Sequence, residues 1–300
     1  MTASVVIVTY NSAGTLPGCL SSLRRFLPGG FELIVVDNAS SDGSVGIAGS
    51  EPDVKLICNR ANAGFACAVN QGLRIANADV ILLVNPDLEI TEGSLEVLMS
   101  YLEREPRVGI VGPKIVLENG RIDHAGKRSM KRPDTYWYKA LFLDRLFPKS
   151  RRFGRYYLTY LDPNEVLDVD AVVGAFMIIR AATLAEIGLM DERFFMYCED
   201  EDLCFRAKQS GWKVRYHPGL VVKHSKSSSA RREPVRTSIR WHRSVLLFHR
   251  KNLAADHPIF MNWGVYGLIA LSLGARMASA LLARPISRRS QASAPHATAK

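Results

Sequence analysis

The sequence predicts an α/β protein with a mostly parallel central sheet flanked by helices, followed by a C-terminal helical appendage. Three observations predict this class. Short apolar runs of strand length, rich in β-branched residues, recur early in the chain, and helical stretches separate them. Strand, helix and strand at this spacing form a βαβ unit, which pairs its strands in parallel through a right-handed crossover. Several runs end in short polar or acidic residues, at the place where open α/β sheets bind ligands.

The predicted elements follow one another as βαβ units require. Residues 4–9 and 31–36 form the first two strands, and a helix reaching about residue 26 connects them. Further along we predict a strand at 54–58, a helix at 65–76, a strand at 80–84, a helix near 94–105, a strand at 169–180 interrupted by a Gly-Ala pair, a helix at 182–187, a helix beginning near 199 and a strand-like segment at 213–216.

The composition fits one large domain with an appendage. The 300 residues are 47% hydrophobic and 23% charged, so the chain can bury a sizeable core. Its five cysteines are odd in number and lack metal-ligand spacing, which indicates free thiols in a reducing compartment. The opening residues lead directly into a strand, so we expect no signal peptide.

The net charge of +10 is concentrated in two segments. Residues 221–300 contain 14 Lys/Arg and 2 Asp/Glu, and residues 121–155 contain 11 and 3, whereas residues 1–220 as a whole contain 25 and 27. This distribution indicates that particular elements meet an anionic surface.

The strand at 80–84 ends in a carboxylate. It stops at Asn85-Pro86, which is a turn signal, and Asp87 follows. A single Asn-Pro-Asp is more often a plain turn. Polar residues after the neighbouring strands change that interpretation, because the carboxyl ends of parallel strands meet at one edge of the sheet.

Two further polar segments lie at predicted strand ends. Residues 37–42 offer a carboxylate for the imide N–H of a base and short polar groups for a ribose, although such a segment can also simply cap the next helix. Residues 62–65 supply a helix N-terminus, where Gly64 would let a phosphate approach the backbone closely.

These motifs together resemble glycosyltransferase family 2. The segments are 6–11 (Val-Ile-Val-Thr-Tyr-Asn), 35–43 (Val-Val-Asp-Asn-Ala-Ser-Ser-Asp-Gly) and 62–65 (Asn-Ala-Gly-Phe). Residues 83–87 (Leu-Val-Asn-Pro-Asp) resemble the family's Asp-X-Asp metal motif, in a variant common among its rhamnosyltransferase-like members. The resemblance covers roughly residues 3–225. It implies a GT-A (Rossmann-like) fold, a nucleotide-sugar donor and an inverting transfer.

The resemblance also implies donor-binding and metal-binding residues. The donor-binding set is Thr9, Tyr10, Asn11, Asp37, Asn38, Ser40, Asp42, Asn62, Gly64, Phe65, Asn70, Asn85, Gly174 and Ala175. The pair Gly174-Ala175 would lie against the sugar, where larger side chains would obstruct it. Asp87 and His224 would hold Mg²⁺ or Mn²⁺, which favour such ligands. Because Asn85 replaces an acidic residue, the donor diphosphate would supply much of the coordination.

Residues 199–202 (Glu-Asp-Glu-Asp) open a predicted helix. The helix dipole favours acidic residues in a first turn, which alone accounts for part of the run. Phe194, Phe195 and Tyr197 flank the run and indicate partial burial. Adjacent buried carboxylates repel one another and lose solvation, so we expect at least one of them to have a raised pKa.

The acidic run resembles the family's Glu-Asp-X-Asp element, whose second acidic residue is the general base. This resemblance assigns the base to Asp200, with Glu199 and then Asp202 as the next candidates. We expect Glu199 and Asp202 to bind the acceptor or to orient it, and Arg206 to pair with Asp202 at i,i+4. Glu201 is expected to face solvent.

The segment 121–155 mixes basic and aromatic side chains. Its aromatic residues include Tyr136, Trp137, Tyr138, Phe142 and Phe147. One interpretation is a solvated insertion, and the other is a flap that touches an anionic lipid-linked acceptor or the membrane surface. Because no nucleic-acid motif accompanies this pattern, we expect no nucleic-acid partner.

The C-terminal region is predicted to be a membrane-associated appendage. Residues 238–251 form a basic, aromatic helix of the kind that lies in a membrane interface. Residues 259–275 are 17 uncharged residues, a length at the lower margin for spanning a bilayer, so we favour an in-plane or embedded hairpin. The predicted division is a catalytic domain at 1–225, a helical membrane-associated region at 226–284 and a disordered tail at 285–300.

The sequence thus predicts an inverting, metal-dependent glycosyltransferase at the cytoplasmic face of the cell membrane, peripheral or partly embedded. The resemblance favours L-rhamnose from dTDP-L-rhamnose as donor and a polyprenyl-diphosphate-linked sugar of cell-wall or surface polysaccharide assembly as acceptor. A galactofuranosyl or other hexosyl donor remains open, and so does a homodimer. A non-catalytic nucleotide-sugar-binding scaffold at the membrane is the alternative from another class. A nucleotidyltransferase would need a Gly-rich basic loop after the first strand, which residues 10–14 lack.

Overall fold

The structure, a computed structural model, describes residues 1–27, 30–225 and 234–282. The predicted tail at 285–300 lies outside these residues. The strands are β1 (Ala3–Thr9), β2 (Glu32–Asp37), β3 (Val54–Cys58), β4 (Val80–Val84), β5 (Leu88–Gly93), β6 (Val108–Leu117), β7 (Leu167–Asp168), β8 (Phe176–Arg180) and β9 (Lys213–His224). The helices are α1 (Leu16–Phe26), α2 (Ser44–Gly49), α3 (Phe65–Ile75), α4 (Leu95–Arg104), α5 (Pro133–Ala140), α6 (Leu143–Leu146), α7 (Ala181–Ile187), α8 (Glu199–Gln209), α9 (Pro234–Asn252) and α10 (Ile259–Leu282).

The central sheet is mixed, with the strand order β3-β2-β1-β4-β8-β6-β9-β5 and β7 paired to β9. The first four strands in this order are parallel, as predicted. Beyond them β8 runs antiparallel to β4 and to β6, and β5 and β7 run antiparallel to β9. β6 and β9 are parallel to each other. The prediction of a mostly parallel sheet is therefore wrong, because this half contains both parallel and antiparallel pairings. β8 enters the sheet beside the carboxyl end of β4, so it can only run in the opposite direction.

The core lies on both faces of the sheet. Val5 and Ile7 of β1 pack into one cluster with α1 and α4, whereas Val6 and Val8 pack into the other with α3, α7 and α8. Alternate residues of one strand are thus buried in opposite layers, which explains why the run is continuously apolar. The prediction of strands buried on both faces is confirmed.

The strand register brings the predicted site residues to one edge. β1 and β2 end together, with Thr9 opposite Asp37, and β4 ends beside β1. On the other half of the sheet, the antiparallel pairing of β5 with β9 sets Leu88 opposite His224. Asp87 therefore lies next to the end of β9, a neighbour more than 130 residues away along the chain.

Helices α9 and α10 pack against each other and against the residues before α8. They share a buried cluster with Phe194 and Cys198, to which they contribute Val245, Phe248 and Val265. The predicted pair of C-terminal helices is confirmed. Within the described ranges, none of the helices has the length and apolar character needed to cross a membrane.

Lys251 links α9 to the core. Its Nζ lies 2.7 Å from Asp202 Oδ1 and 2.8 Å from Asp191 Oδ2. Asn252 Nδ2 also donates to Asp202 Oδ1, at 2.9 Å. Because Asp202 is fully buried, these contacts neutralise a charge that water does not reach.

We expect Lys251→Ala to lower the free energy of unfolding by about 2 kcal/mol, because it leaves a buried carboxylate short of one partner. Lys223→Ala is the matched control, since the pair between Lys223 and Glu89 is largely solvated and contributes less than about 1 kcal/mol. Thermal unfolding of the two variants measures the difference. Equal melting temperatures would show that α9 is not held by this contact.

Candidate functional site

The polar residues after β1 and β2 bond to one another. Thr9 Oγ1 donates to Asp37 Oδ1 at 2.8 Å, and the Ser40 N–H donates to Asp37 Oδ2 at 2.8 Å. The Asn11 N–H donates to Ser40 Oγ, also at 2.8 Å. Asp37 is only 1% exposed, so in this conformation it holds the loops together, and its predicted contact with a base stays a prediction.

Tyr10, Asn11 and Asp42 form the accessible rim of this edge. The Tyr10 side chain is 43% exposed, and Asn11 adopts a left-handed conformation with φ of 53°. Asp42 accepts hydrogen bonds from the N–H groups of Ala13 and Ser44, each at 3.0 Å. For Asp42 the structure therefore agrees with the alternative interpretation, in which the segment caps the next helix, α2.

The loop before α3 is fixed against the segment that precedes the acidic run. Asn38 Nδ2 donates to Asn62 Oδ1 and to the Gly64 carbonyl, both at 3.1 Å. Gly64 has φ of +92°, and a Cβ there would lie 2.7 Å from the Phe195 carbonyl oxygen, which accepts from the Phe65 N–H at 2.7 Å. A side chain at position 64 would therefore clash with Phe195 and strain the backbone. The predicted approach of a phosphate to Gly64 stays a prediction.

Asn70 bonds to the segment that precedes the acidic run. Its Nδ2 donates to the Met190 carbonyl at 2.8 Å and to Glu192 Oε1 at 2.9 Å, and its Oδ1 accepts from the Met190 N–H at 3.0 Å. The side chain is 1% exposed. Asn70 therefore joins α3 to the chain before the acidic run in this conformation, and its contact with the donor stays a prediction.

Asp87 and His224 lie together, as the sequence predicts for the metal ligands. His224 Nε2 is 3.5 Å from Asp87 Oδ1, and both side chains are largely buried. The Ser225 N–H donates to the Asp87 carbonyl at 3.0 Å, which fixes the two strand ends relative to each other. One carboxylate and one imidazole form a donor set that Mn²⁺ or Mg²⁺ accepts.

Asp123, which the sequence did not single out, lies on the other side of His224. Its Oδ2 is 3.8 Å from His224 Nδ1. Burial lowers the pKa of His224, but the nearby carboxylates of Asp123 and Asp87 outweigh burial and raise it to about 9. A carboxylate behind an imidazole is the usual arrangement for holding a metal-binding histidine in one orientation.

Asp87 and His224 are the two predicted metal ligands that the structure brings together. Across residues 1–27, 30–225 and 234–282, no group of three or more His, Cys, Asp or Glu side chains is arranged around a metal position. This agrees with the expectation that a diphosphate completes the coordination.

The acidic run forms the first turn of α8, and all four carboxylates are buried. Tyr197 and Cys198 precede it with φ of 73° and 66°, a conformation that is strained for non-glycine residues and often marks functional sites. Glu201 is fully buried and pairs with Lys131, so the prediction that it faces solvent is wrong.

Asp200 is held by three donors. Arg128 Nη2 lies 2.7 Å from its Oδ2, and the Gly174 N–H donates to the same oxygen at 2.9 Å. The Glu201 N–H donates to Oδ1 at 2.7 Å. Burial raises the pKa of Asp200, but the Arg128 charge and the Gly174 N–H outweigh burial and keep that pKa below its usual value. Asp200 is therefore ionised at neutral pH.

The neighbouring carboxyl behaves in the opposite way. Burial, and then the negative charge of Asp200, raise the pKa of Glu199 well above its usual range. Its Oε2 is buried and accepts no hydrogen bond from the described residues. The prediction that at least one carboxyl of the run has a raised pKa is confirmed, and that carboxyl is Glu199.

Asp202 is occupied by protein partners. Arg206 Nε lies 2.9 Å from its Oδ2, which confirms the predicted i,i+4 pair, and its Oδ1 contacts Lys251 and Asn252. This environment favours an orienting role for Asp202 over direct contact with an acceptor.

Gly174 and Ala175 connect the two halves of the site. The Asn85 N–H donates to the Ala175 carbonyl at 2.8 Å, and a Cβ on Gly174 would lie 3.1 Å from the Asp200 Cβ. The turn that carries Asp87 and the helix start that carries Asp200 are thus separated by this small-residue pair.

The comparison with known families agrees with this geometry. The family model described as glycosyl transferase family 2 matches residues 4–181, more than half of the chain. The chain belongs to glycosyl transferase family 2. It is a glycosyltransferase, and the resemblance predicted from its motifs is confirmed.

Two relatives point to the rhamnosyltransferase-like branch. The chain is 29% identical over 299 residues to the N-acetylglucosaminyl-diphospho-decaprenol L-rhamnosyltransferase of Mycobacterium tuberculosis, with 96% of this chain and 94% of that protein covered. It is 25% identical over 182 residues to the rhamnosyltransferase WbbL of Escherichia coli K12, with 58% and 62% covered.

Solved glycosyltransferase structures show that the fold is GT-A-like. GalNAc-T7 with UDP, GalNAc and Mn²⁺ superposes with a TM-score of 0.58 at 16% identity, over 93% of this chain and 57% of that one. The mannosyltransferase PcManGT from Pyrobaculum calidifontis, in complex with GDP-Man and Mn²⁺, gives 0.56 at 18% identity, over 95% and 76%.

We expect Mn²⁺ affinity in the presence of dTDP to rise with pH between 7 and 8, by about tenfold per unit. His224 carries a proton below its raised pKa of about 9 and must release it to bind a metal, so a higher pH favours binding. Isothermal titration measures both the affinity and the proton release.

His224→Ala should weaken binding and remove this slope, and Asp123→Asn should weaken binding while keeping part of the slope. His217→Ala is the matched control, because His217 lies on β9 outside the pair and should leave both quantities unchanged. Full Mn²⁺ affinity in His224→Ala would exclude this metal site.

Proposed function

We propose that this glycosyltransferase moves L-rhamnose from dTDP-L-rhamnose, with inversion, onto a polyprenyl-diphosphate-linked sugar in cell-wall or surface polysaccharide assembly. The observation that carries the proposal is the ionised Asp200, held across Gly174-Ala175 from the turn that bears Asp87. The similarity to a decaprenol-linked N-acetylglucosaminyl rhamnosyltransferase over nearly the full length of both chains supports the donor and the acceptor.

Asp200 is the proposed general base. Its carboxylate takes the proton of the acceptor hydroxyl as that oxygen bonds to the anomeric carbon, while the bond from that carbon to the nucleoside diphosphate breaks and its electrons leave with the phosphate. Arg128 keeps Asp200 ionised and fixes its orientation before substrate arrives. Glu199 is protonated at neutral pH, so it is suited to donate a hydrogen bond rather than to accept the proton.

Asp87 and His224 are the residues that would hold the divalent cation, Mg²⁺ or Mn²⁺, with Asp123 orienting His224. The Mn²⁺ in the two structurally similar glycosyltransferases supports this proposal. When bound, such an ion offsets negative charge on a departing diphosphate.

We also propose that the enzyme works at the cytoplasmic face of the cell membrane. A polyprenyl-linked acceptor is confined to the bilayer, so an enzyme that uses it must reach the membrane surface. Support comes from the exposed aromatic and apolar side chains of α6 and α10, among them Leu146, Phe260 and Trp263.

Asp200→Asn should lower kcat at least about a hundredfold while the Kd for dTDP-rhamnose stays unchanged, because the amide cannot accept the proton. Glu199→Gln, which imitates the protonated carboxyl, should retain most of the activity. The assay uses purified enzyme, Mn²⁺, labelled dTDP-rhamnose and a water-soluble short-chain prenyl-diphosphate N-acetylglucosamine.

Thermal unfolding shows whether each variant is folded. An active Asp200→Asn with an inactive Glu199→Gln would reassign the base to Glu199. Assays with UDP-galactofuranose and other hexose donors test which sugar the enzyme transfers. Binding of a nucleotide sugar without transfer from any donor would favour a non-catalytic nucleotide-sugar-binding scaffold.

A further inference from the structure

Two segments far apart in sequence expose large apolar side chains to solvent. The first runs over α5 and α6, where five such side chains are each about half exposed or more: Trp137, Leu141, Phe142, Leu146 and Phe147. The second is the start of α10, where the exposed fractions are 74% for Ile259, 72% for Phe260 and 68% for Trp263. Phe142 is also held in a left-handed conformation, with φ of 56°, which is strained for a bulky residue.

The two segments meet in space. A Cβ on Gly264 of α10 would lie 3.6 Å from Cζ2 of Trp137 on α5. An aromatic chain also joins them, because Tyr136 stacks edge-on against His249, His249 against Tyr266, and Tyr266 lies 6.2 Å from Trp263, centroid to centroid. The eight exposed side chains therefore belong to adjoining elements, and we call them the apolar face.

Basic side chains accompany the first segment of the apolar face. Between residues 137 and 155 the exposed basic residues are Lys139, Arg145, Lys149, Arg151, Arg152 and Arg155. The acidic residue of that stretch, Asp144, is half-buried. Arg145 also lies 5.5 Å from the Phe142 ring centroid, which places a cation beside an exposed aromatic.

We propose that the apolar face docks in the plane of an anionic phospholipid bilayer, with its aromatic and aliphatic side chains in the interface and its basic rim on the headgroups. This inference rests on the proposed use of a lipid-linked acceptor. Exposed apolar side chains of this size are unfavourable in water, and a rim of Lys and Arg is attracted by anionic lipids.

Charge decides between a bilayer and a second copy of the chain. Self-association through the apolar face would bring two basic rims together on chains that each carry a net charge of +10. Like charges at such a contact oppose it, whereas an anionic bilayer neutralises them.

Docking would also position the active site. Arg128 and Lys131, which pair with Asp200 and Glu201, lie just before α5 in the chain, and α5 carries Trp137. The segment that holds the proposed base therefore continues directly into the apolar face. Asp200 would then work near the headgroup layer, where the diphosphate of a lipid-linked acceptor lies.

The test is vesicle co-sedimentation of the full chain. The double variant Leu146→Ser/Phe260→Ser changes one exposed side chain from each segment. Ile75→Ser is the matched control, because Ile75 is an exposed apolar residue on α3 outside the face. We expect the wild type and Ile75→Ser to bind vesicles with 30% phosphatidylglycerol, and the double variant to bind about tenfold less tightly or worse. Binding should weaken in 0.5 M NaCl and with pure phosphatidylcholine.

Activity separates this inference from the proposed function. The double variant should transfer rhamnose normally to the water-soluble acceptor and lose transfer to an acceptor embedded in vesicles. Equal vesicle binding by the double variant and the wild type, or no vesicle binding by the wild type, would overturn the inference. So would a dimer in light scattering that the double variant disrupts. Vesicle binding without transfer from any donor would instead leave the docking intact and contradict the proposed function.

Discussion

The structure depends on the buried ion pair between Arg128 and Asp200. Four consecutive carboxylates begin α8 out of reach of bulk water, and an unpaired buried charge destabilises a fold strongly. Arg128 and Lys131 supply the compensating charge for Asp200 and Glu201, and Arg206 and Lys251 supply it for Asp202. Glu199 is the member of the run whose raised pKa keeps it protonated. A helix that would otherwise repel itself can therefore start inside the protein.

This arrangement brings separate parts of the chain together. The basic segment at residues 121–155 contacts α8 through Arg128. The pair Gly174-Ala175 lies between Asp200 and the turn after β4. The pairing of β5 with β9 places His224 beside Asp87. Only small residues fit at 174, where a Cβ would already lie 3.1 Å from the Asp200 Cβ. The same buried contacts that stabilise the fold thus set the distance between the acidic and metal-binding sides of the site.

The sequence was informative where local pattern determines structure. The β-branched runs predicted β1 to β4, and the polar strand ends predicted the edge at which Thr9, Asp37 and Asp87 lie. It did not predict β5 or β6, nor the antiparallel pairings of β8 with β4 and β6 and of β5 with β9, because those pairings join residues far apart in the chain.

Glu201 was expected in solvent because its partner, Lys131, lies 70 residues earlier in the chain. Arg128, Lys131 and Asp123 were missed because the residues that they contact are also far from them in sequence. Residues 121–155 have a similar composition throughout, yet Arg128 and Lys131 are buried in the site, whereas the side chains from Trp137 to Phe147 contribute to an exposed face.

A crystal structure of the enzyme with Mn²⁺ and dTDP tests the central claim most directly. Anomalous scattering locates the ion. The account predicts manganese bound to Asp87 and His224, with the diphosphate completing its coordination and Asp200 facing the same cavity across Gly174. Manganese at any other position, or an Asp200 carboxylate without access to the cavity that holds the diphosphate, would contradict it.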